Sequence, residues 1–424
     1  METRFSPNQL HEAPIKLAND ILRTCVHCGF CTATCPTYVV LGDELDSPRG
    51  RIYQIKEMLE SDKPADANTV KHVDRCLSCL SCMTTCPSGV DYMHLVDHAR
   101  IHIEQTHKRS LGDSSLRTIL ALVLPRPGLF RLSLIGARLA KPFRAVLPGR
   151  LKGMVAIAPN SLPKADPVGT VKAEGKTRMR VALLPGCAQQ VLAPRINRSA
   201  ARLLSRLGCE VFGAENVDCC GALTHHMGKE AAALAQARQN IEAWEHAKPD
   251  VIAITASGCG STVKDYGFML KDDPEWAERA TKISAIARDV SEVIAELGLD
   301  TGLDGVENFA KPRVAYHAPC SLQHGQKNLD GPAALLKTAG FEVSTPKNAH
   351  LCCGSAGTYN IMQPELASDL GGRKASSLDV LNADVIATGN IGCLIQIGEY
   401  AGTPVVHSVE LLDWATGGPS PLSN

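Results

Sequence analysis

Cys25-Val-His-Cys-Gly-Phe-Cys-Thr-Ala-Thr-Cys-Pro36 and Cys76-Leu-Ser-Cys-Leu-Ser-Cys-Met-Thr-Thr-Cys-Pro87 carry one pattern twice, C-x2-C-x2-C-x3-C-P. Cysteines at steps of three on a tight loop can converge on one point. The fourth cysteine then starts a helix, and the proline beside it sets an exit direction toward a neighbouring site. Zinc sites use C-x2-C pairs, typically two pairs parted by a longer loop. Two complete runs of four overdetermine such a site.

Outward from these runs, the whole chain is rich in thiols: 17 cysteines among 424 residues. A secreted disulfide framework belongs to shorter chains behind a signal peptide. Residues 1–20 include Glu2, Glu12 and Asp20 and have no apolar core, so no secretory signal is visible. No run of 18 apolar residues predicts a membrane span. Lys plus Arg and Asp plus Glu each total 44, and aromatics are 4%, which argues against a nucleic-acid binder working by global charge or base stacking. The thiols therefore read as metal ligands or as redox groups.

The repeated run is the bacterial ferredoxin run, in which three thiolates bind one 4Fe–4S cluster and the fourth binds the other. Carried over, it assigns Cys25, Cys28, Cys31 and Cys86 to cluster 1, and Cys76, Cys79, Cys82 and Cys35 to cluster 2. The 40-residue insert Pro36 to Arg75 has Ser47 as N-cap, Pro48 at the first helical position, and Ile52, Ile55, Met58 and Leu59 at helical spacing. An α-helical ferredoxin domain over residues 1–106 follows. Arg49 and Arg51 either offset the negative charge of a thiolate cluster or form a solvated face. His27 reads as a surface residue or one behind the ligands, because cysteine fills every ligand position.

The other nine cysteines form a second duplication. Cys187 is followed 32 residues later by Cys219-Cys220-Gly221 and then by Cys259; Cys320 is followed 32 residues later by Cys352-Cys353-Gly354 and then by Cys393. The shift is 133 residues, becoming 134 at the last pair, and Cys209 is left over as a small core residue. Each copy reads as strands alternating with helices. Strands are expected at 181–184, 210–212 and 251–255, and again at 314–316, 341–343 and 385–388. This is an α/β layer with parallel pairing. Every cysteine of these sets is expected in a loop past the C-terminal end of a strand, where open α/β sheets place their sites. A metal, a further iron–sulfur group, thiol–disulfide exchange, and plain core packing stay open for Cys187, Cys219, Cys220, Cys259, Cys320, Cys352, Cys353 and Cys393.

Two ferredoxin runs followed by two CCG repeats resemble the CCG-domain iron–sulfur subunits, a family that includes subunits of glycolate oxidase, anaerobic glycerol-3-phosphate dehydrogenase and heterodisulfide reductase. The wording of residues 25–38, 41–53 and 75–90 is most similar to the glycolate oxidase type. The resemblance covers nearly the whole chain apart from about 107–178 and implies an α+β multidomain chain, with a helical ferredoxin domain at 1–106 and α/β CCG domains at 179–303 and 312–424; residues 107–178 between them read, from their own composition, as a basic amphipathic connector and linker. It implies an electron-transfer subunit with no catalytic residue of its own. Partner flavoprotein subunits, which would bind FAD, oxidise glycolate to glyoxylate, and a quinone-type acceptor takes the electrons. No G-x-G-x-x-G fingerprint follows a strand here, in keeping with a flavin held elsewhere. The corresponding subunit of a glycerol-3-phosphate or lactate dehydrogenase is the neighbouring alternative.

A thiol–disulfide reductase of the heterodisulfide type is disfavoured by Thr262 and Gln396. They stand three residues after Cys259 and Cys393, where that type carries a further cysteine. A sensor or assembly scaffold is the remaining reading. Residues 114–153 hold Arg117, Arg126, Arg131, Arg138, Lys141, Arg144, Arg150 and Lys152 with no Asp or Glu. The stretch suits docking on the CCG domains or a partner subunit, or lying on an anionic membrane surface. The expected location is cytoplasmic, with peripheral contact on the inner face of the inner membrane as the variant. Residues 159–171 read as a linker.

Overall fold

The computed structural model describes residues 1–146, 155, 158, 159, 161–299 and 310–422. Among the described residues of the first 146, all regular structure is helical. Ser47 caps the helix Pro48–Glu60, its hydroxyl accepting from the Gly50 amide at 2.9 Å, with Pro48 at the first position. Ile52, Ile55, Met58 and Leu59 recur at helical spacing, so one stripe of this helix is apolar. That stripe packs on Leu22, Val73, Leu95, Val96 and Ile103 from Ala13–Thr24, Ala67–Asp74 and Tyr92–Thr106. Burying each such side chain contributes roughly 1.5–3 kcal/mol.

The fourth cysteines of the two runs behave differently. Cys35 is the N-cap of Pro36–Leu41, as the sequence suggests. Cys86 instead closes the short helix Ser81–Thr85, and Pro87 enters a turn. Proline at the next position suits a helix start but equally a helix stop.

Two helices of the connector follow, Leu111–Val123 and Pro127–Ala140, parted at Pro125 and Pro127. Arg117 does not join a solvated basic face: it is buried and paired with Asp74 at 2.8 Å and Asp113 at 3.1 Å. Leu111, Ile119, Leu122, Leu132 and Leu139 are exposed. Pro148, Arg150, Lys152 and Gly153 lie outside the described residues, as do the expected domain limits at 303 and 424. The end of the expected linker is docked. Val171 bridges antiparallel to Val211, and Val168 packs on the core behind it.

The rest is two four-stranded parallel sheets. In the first, β1 (Met179–Leu184), β2 (Cys209–Phe212), β3 (Val251–Ile254) and β4 (Ala287–Asp289) run in the order β2-β1-β3-β4. In the second, β5 (Val314–His317), β6 (Val343–Ser344), β7 (Val385–Thr388) and β8 (Val405–His407) run β6-β5-β7-β8. The expected strand at 341–343 is displaced to Val343–Ser344, because Phe341 is drawn into the core as the chain leaves a helix. β4 and β8 were not expected. Each is three residues long and turns at once into a helix opened by a capping box, Asp289 with Glu292 and His407 with Glu410.

One apolar cluster runs through both repeats, joining Val181, Leu203 and Ile294 to Leu336, Val385 and Leu411. Asp413, fully buried at that junction, receives Arg202 and Arg206. The repeats therefore fold against each other around a common core.

Candidate metal centres and their surroundings

The two ferredoxin runs enclose two adjoining cavities. Cys25, Cys28, Cys31 and Cys86 line the first, together with Arg49. Cys35, Cys76, Cys79 and Cys82 line the second, together with Arg51 and Tyr92. Cys82 also reaches the wall of the first. Each cavity thus receives three thiols of one run and the last thiol of the other.

The loops achieve this by the same backbone path. His27 and Gly29 in the first run, and Ser78 and Leu80 in the second, all have φ between 48° and 86°. L-residues there cost about 1–2 kcal/mol each, so the fold holds them in place. A Cβ at position 29 would stand 2.5 Å from an Arg49 guanidinium nitrogen, so a larger residue there would push Arg49 aside.

The donors around the sulfurs suit thiolates. The Ser78 amide and the Tyr92 hydroxyl approach Cys76 Sγ at 3.5 and 3.7 Å, and an Arg51 nitrogen approaches Cys35 Sγ at 3.8 Å. Arg51 is 1% exposed. Its other nitrogens donate to the His72 carbonyl at 2.6 Å, Thr37 at 3.0 Å and Asp46 at 3.1 Å. Burial alone would favour its discharge, but the thiols of Cys76 and Cys35, the Tyr92 phenol and Asp46 hold it protonated. Burial pushes the Cys31 thiol up to about 11, and raises Cys79 and Cys82 well above the ordinary value. Such thiols ionise only with a cation to receive them. Of the two expected roles for the arginines, Arg51 is no solvated residue, and Arg49 faces the first cavity while pairing with Glu44 at 2.6 Å. His27 is exposed.

The CCG cysteines also gather as two sets. Cys187 and Cys219 lie 3.6 Å apart, and Cys320 and Cys352 lie 3.7 Å apart, sulfur to sulfur. In each set a thiol at the vicinal pair is drawn down by its neighbours: Cys219 by Cys187 and Cys220, Cys352 by Cys320 and Cys353. Gly221 and Gly354 have φ of 84° and 87°, and a Cβ on either would meet the Ala233 or Ala367 carbonyl at 3.1 or 2.7 Å. Cys259 and Cys393 correct the loop expectation, since they sit in the first turn of Ser257–Lys264 and Ile391–Gly398.

The second cavity abuts the second set. Cys79 and Cys352 belong to one apolar cluster with Leu77, Tyr359, Leu366 and Leu370. Tyr359 donates to the Arg75 carbonyl at 3.0 Å, and Thr84 meets His324 at 2.7 Å. The first repeat is held through charges instead: His94 spans Asp91 and Asp265 at 2.5 and 3.1 Å, and His225 approaches Asp97 at 3.2 Å.

Known families and proteins are similar to this chain in sequence. The 4Fe-4S dicluster domain family matches residues 21–90, and the cysteine-rich CCG family matches residues 181–264 and 314–398. The glycolate oxidase iron–sulfur subunit of Escherichia coli is 42% identical over 98% of this chain and 99% of its own length. The chain belongs to the glycolate oxidase iron–sulfur subunit family. A probable glycolate oxidase iron–sulfur subunit of Bacillus subtilis is 33% identical over 93% of this chain and 94% of its own. Lactate utilization protein A of Halalkalibacterium halodurans is 27% identical over 55% of this chain and 97% of its own.

Membership in this family makes the chain an iron–sulfur subunit of an oxidoreductase complex. The sequence did not single out Asp46, Tyr92 or His94. Asp46 takes Arg51, Arg75 and His72 at 3.1, 2.8 and 3.0 Å and so aims one arginine at the second cavity. No local signal marks an acidic residue in an insert for this task. No helix among the described residues is long and apolar enough to cross a membrane.

Proposed function

We propose that this chain is the electron-transfer subunit of a glycolate-oxidising complex. Cys25, Cys28, Cys31 and Cys86 would hold one 4Fe–4S cluster, and Cys76, Cys79, Cys82 and Cys35 the other. The observation that carries the reading is the pair of adjoining four-thiol cavities, each with its own arginine, in a chain similar throughout to glycolate oxidase iron–sulfur subunits. When bound, a 4Fe–4S cluster carries one electron at a time at a potential set by charge, hydrogen bonds and burial.

The residues of the chain supply those settings. Arg49 and Arg51 offset thiolate charge, and Arg51, Tyr92 and the Ser78 amide supply hydrogen bonds to sulfur. The second CCG repeat packs beside the second cavity through Cys352 and Tyr359. The first cavity faces outward: Cys28 is exposed, and Val26 and Phe30 beside it are 67% and 64% exposed. An apolar rim around a redox site is where a partner can seat. The partner we assign there is a flavoprotein subunit whose FAD oxidises glycolate, and a quinone-type acceptor takes the electrons onward. The exposed leucines of Leu111–Val123 and Pro127–Ala140 suit a partner subunit or the inner membrane's cytoplasmic face, with the chain in the cytoplasm. The similarity to lactate utilization protein A spans only about half of this chain, so a lactate complex is the weaker assignment.

The test is the complex purified without oxygen. About eight irons per chain are expected for two clusters. Cys28→Ser should remove one cluster's paramagnetic signal and sharply slow electron flow from glycolate to a quinone. Loss of the signal with unchanged flow would overturn the relay.

A further inference from the structure

The two CCG repeats match in thiol spacing, yet their interiors differ beside the thiols. β1 and β5 align with a shift of 133, so Leu184 of the first repeat corresponds to His317 of the second. β3 and β7 align with a shift of 134, so Ile254 corresponds to Thr388. Leu184 and Ile254 are register partners in the first sheet, and His317 and Thr388 are register partners in the second. An apolar pair in one repeat is a polar pair in the other, at the same depth: His317 is 1% and Thr388 is 0% exposed.

These polar groups lack protein partners. Both ring nitrogens of His317 and the hydroxyl of Thr388 have no hydrogen-bond partner among the described residues. Leaving one such group unsatisfied costs roughly 1–3 kcal/mol. Three orphaned atoms together, where the sister repeat is apolar, need a ligand to explain them. The ligand's chemistry is set by the neighbours. One ring nitrogen of His317 and the sulfurs of Cys353 and Cys393 all lie within 4.8 Å of one another, and all three residues are buried.

We propose that the second CCG repeat holds a single divalent ion of the zinc class, ligated by His317, Cys353 and Cys393, and that the first repeat does not. This goes beyond the two ferredoxin-type clusters and does not depend on which substrate the complex oxidises. Imidazole and thiolate are the ligands such an ion prefers. Thr388 stands in register with His317 on the neighbouring strand, a second buried polar group at this end of the sheet. Asn390 donates to Cys393 Sγ at 3.5 Å, the kind of contact that steadies a thiolate. Lys374, also buried, lies on the helix behind the loop. Gly221 packs on Ala233 and Gly354 on Ala367, so the helices behind the loops register with Lys374 opposite Asn240. Asn240 bonds the Cys219 carbonyl, whereas Lys374 reaches the Asn348 and Ala349 carbonyls. Cys352 neighbours Cys353 in the chain and lies 3.7 Å from Cys320, sulfur to sulfur.

Metal analysis of the full chain, purified without oxygen from zinc-replete cells, tests this directly. About one zinc per chain is expected beside the iron. His317→Leu, which restores the first repeat's residue, should lose at least nine-tenths of the zinc and leave the iron count unchanged. Protein from zinc-depleted, cobalt-supplemented cells should show the d–d absorption of tetrahedral Co(II), and His317→Cys should keep the ion while shifting those bands. Zinc that persists in both His317→Leu and Cys393→Ser would overturn the assignment. So would a wild-type chain with no zinc and no cobalt bands, or one whose extra metal is iron alone. The iron count in the same samples reports separately on the ferredoxin cavities.

Discussion

His94 joins the ferredoxin helix Tyr92–Thr106 to the first CCG repeat, and its bond should open as the pH rises. It lies between Asp91 and Asp265 and stacks on Phe268 with ring centroids 3.4 Å apart. Burial favours the neutral ring, but hydrogen bonds to Asp265 and Asp91 outweigh it and raise the pKa from 6.5 to about 9. A rise of that size corresponds to roughly 3 kcal/mol of preference for the charged, docked form. Burial also raises Asp265, which offsets part of this, and the ring is partly solvated, so about 2 kcal/mol is the working figure. The raised pKa fixes the sign. The stabilisation is fully present below the unfolded value near 6.5 and is lost as pH climbs through about 9.

The perturbation is His94→Gln, read by amide hydrogen exchange on residues 92–106 and 257–269, comparing both proteins at each pH so that intrinsic rates cancel. At pH 6 the variant should exchange these amides roughly 30-fold faster, the factor that 2 kcal/mol represents. By pH 9.5 the pH-dependent part of the gap should be gone. What remains reports only the lost stacking. A gap that stays constant from pH 6 to 9.5 would refute the charge-based account of this joint.

Three further outcomes follow from buried contacts. Arg51→Met leaves Asp46 short of a buried partner, and breaking such pairs typically costs about 3–5 kcal/mol; iron content and the apparent melting temperature should both fall. Arg51→Lys should rescue neither fully, since one ammonium cannot reach His72, Thr37 and Asp46 together. Gly354→Ala should destabilise by about 2 kcal/mol or more, from its φ of 87° and a Cβ 2.7 Å from the Ala367 carbonyl; Gly42→Ala, with φ 64° but open space, should cost about 1 kcal/mol in the same denaturant titration. Asp413→Asn weakens the charge pairing of Arg202 and Arg206 between the two repeats and should lower the denaturation midpoint, with the second repeat's amides exposed first in hydrogen exchange.

Much of the architecture was legible because cysteine spacing is a covalent fact of the chain. The helical insert, the two α/β repeats and the thiol sets follow from residue spacing and from strand-like runs such as Val181–Leu184. What escaped depends on contacts between distant segments. β4 and β8 are three residues long, too short for any periodicity to register. Leu80 takes the left-handed conformation that Gly29 takes in the sister run, and nothing in a leucine announces that. Arg117 looked like part of a basic face because both partners lie outside that stretch, Asp113 just before it and Asp74 43 residues away in sequence. The histidines near the CCG loops could not be sorted by sequence: His225 pairs with Asp97 from the ferredoxin part, His324 meets Thr84, and His317 has no such partner.

That last contrast bears on how a duplicated domain acquires two tasks. Thiol spacing was kept in both copies, so the loops around the thiols still fold alike, with Gly221 and Gly354 in the same strained turn. The copies differ, among other places, at three buried positions of the sheet and the helix behind it: Leu184 against His317, Ile254 against Thr388, Asn240 against Lys374. His317 and Thr388, buried at 1% and 0% exposure, are costly where the other copy is apolar at both places. The copy that bears this cost is also the one packed against the second ferredoxin cavity through Cys79 and Cys352. The first copy, apolar at the same positions, is tied to the ferredoxin part by His94 and His225, whose partners are carboxylates and not thiols. Equal cysteine counts therefore conceal unequal sites, and a stoichiometry that assumed one identical group per repeat would be inconsistent with these interiors.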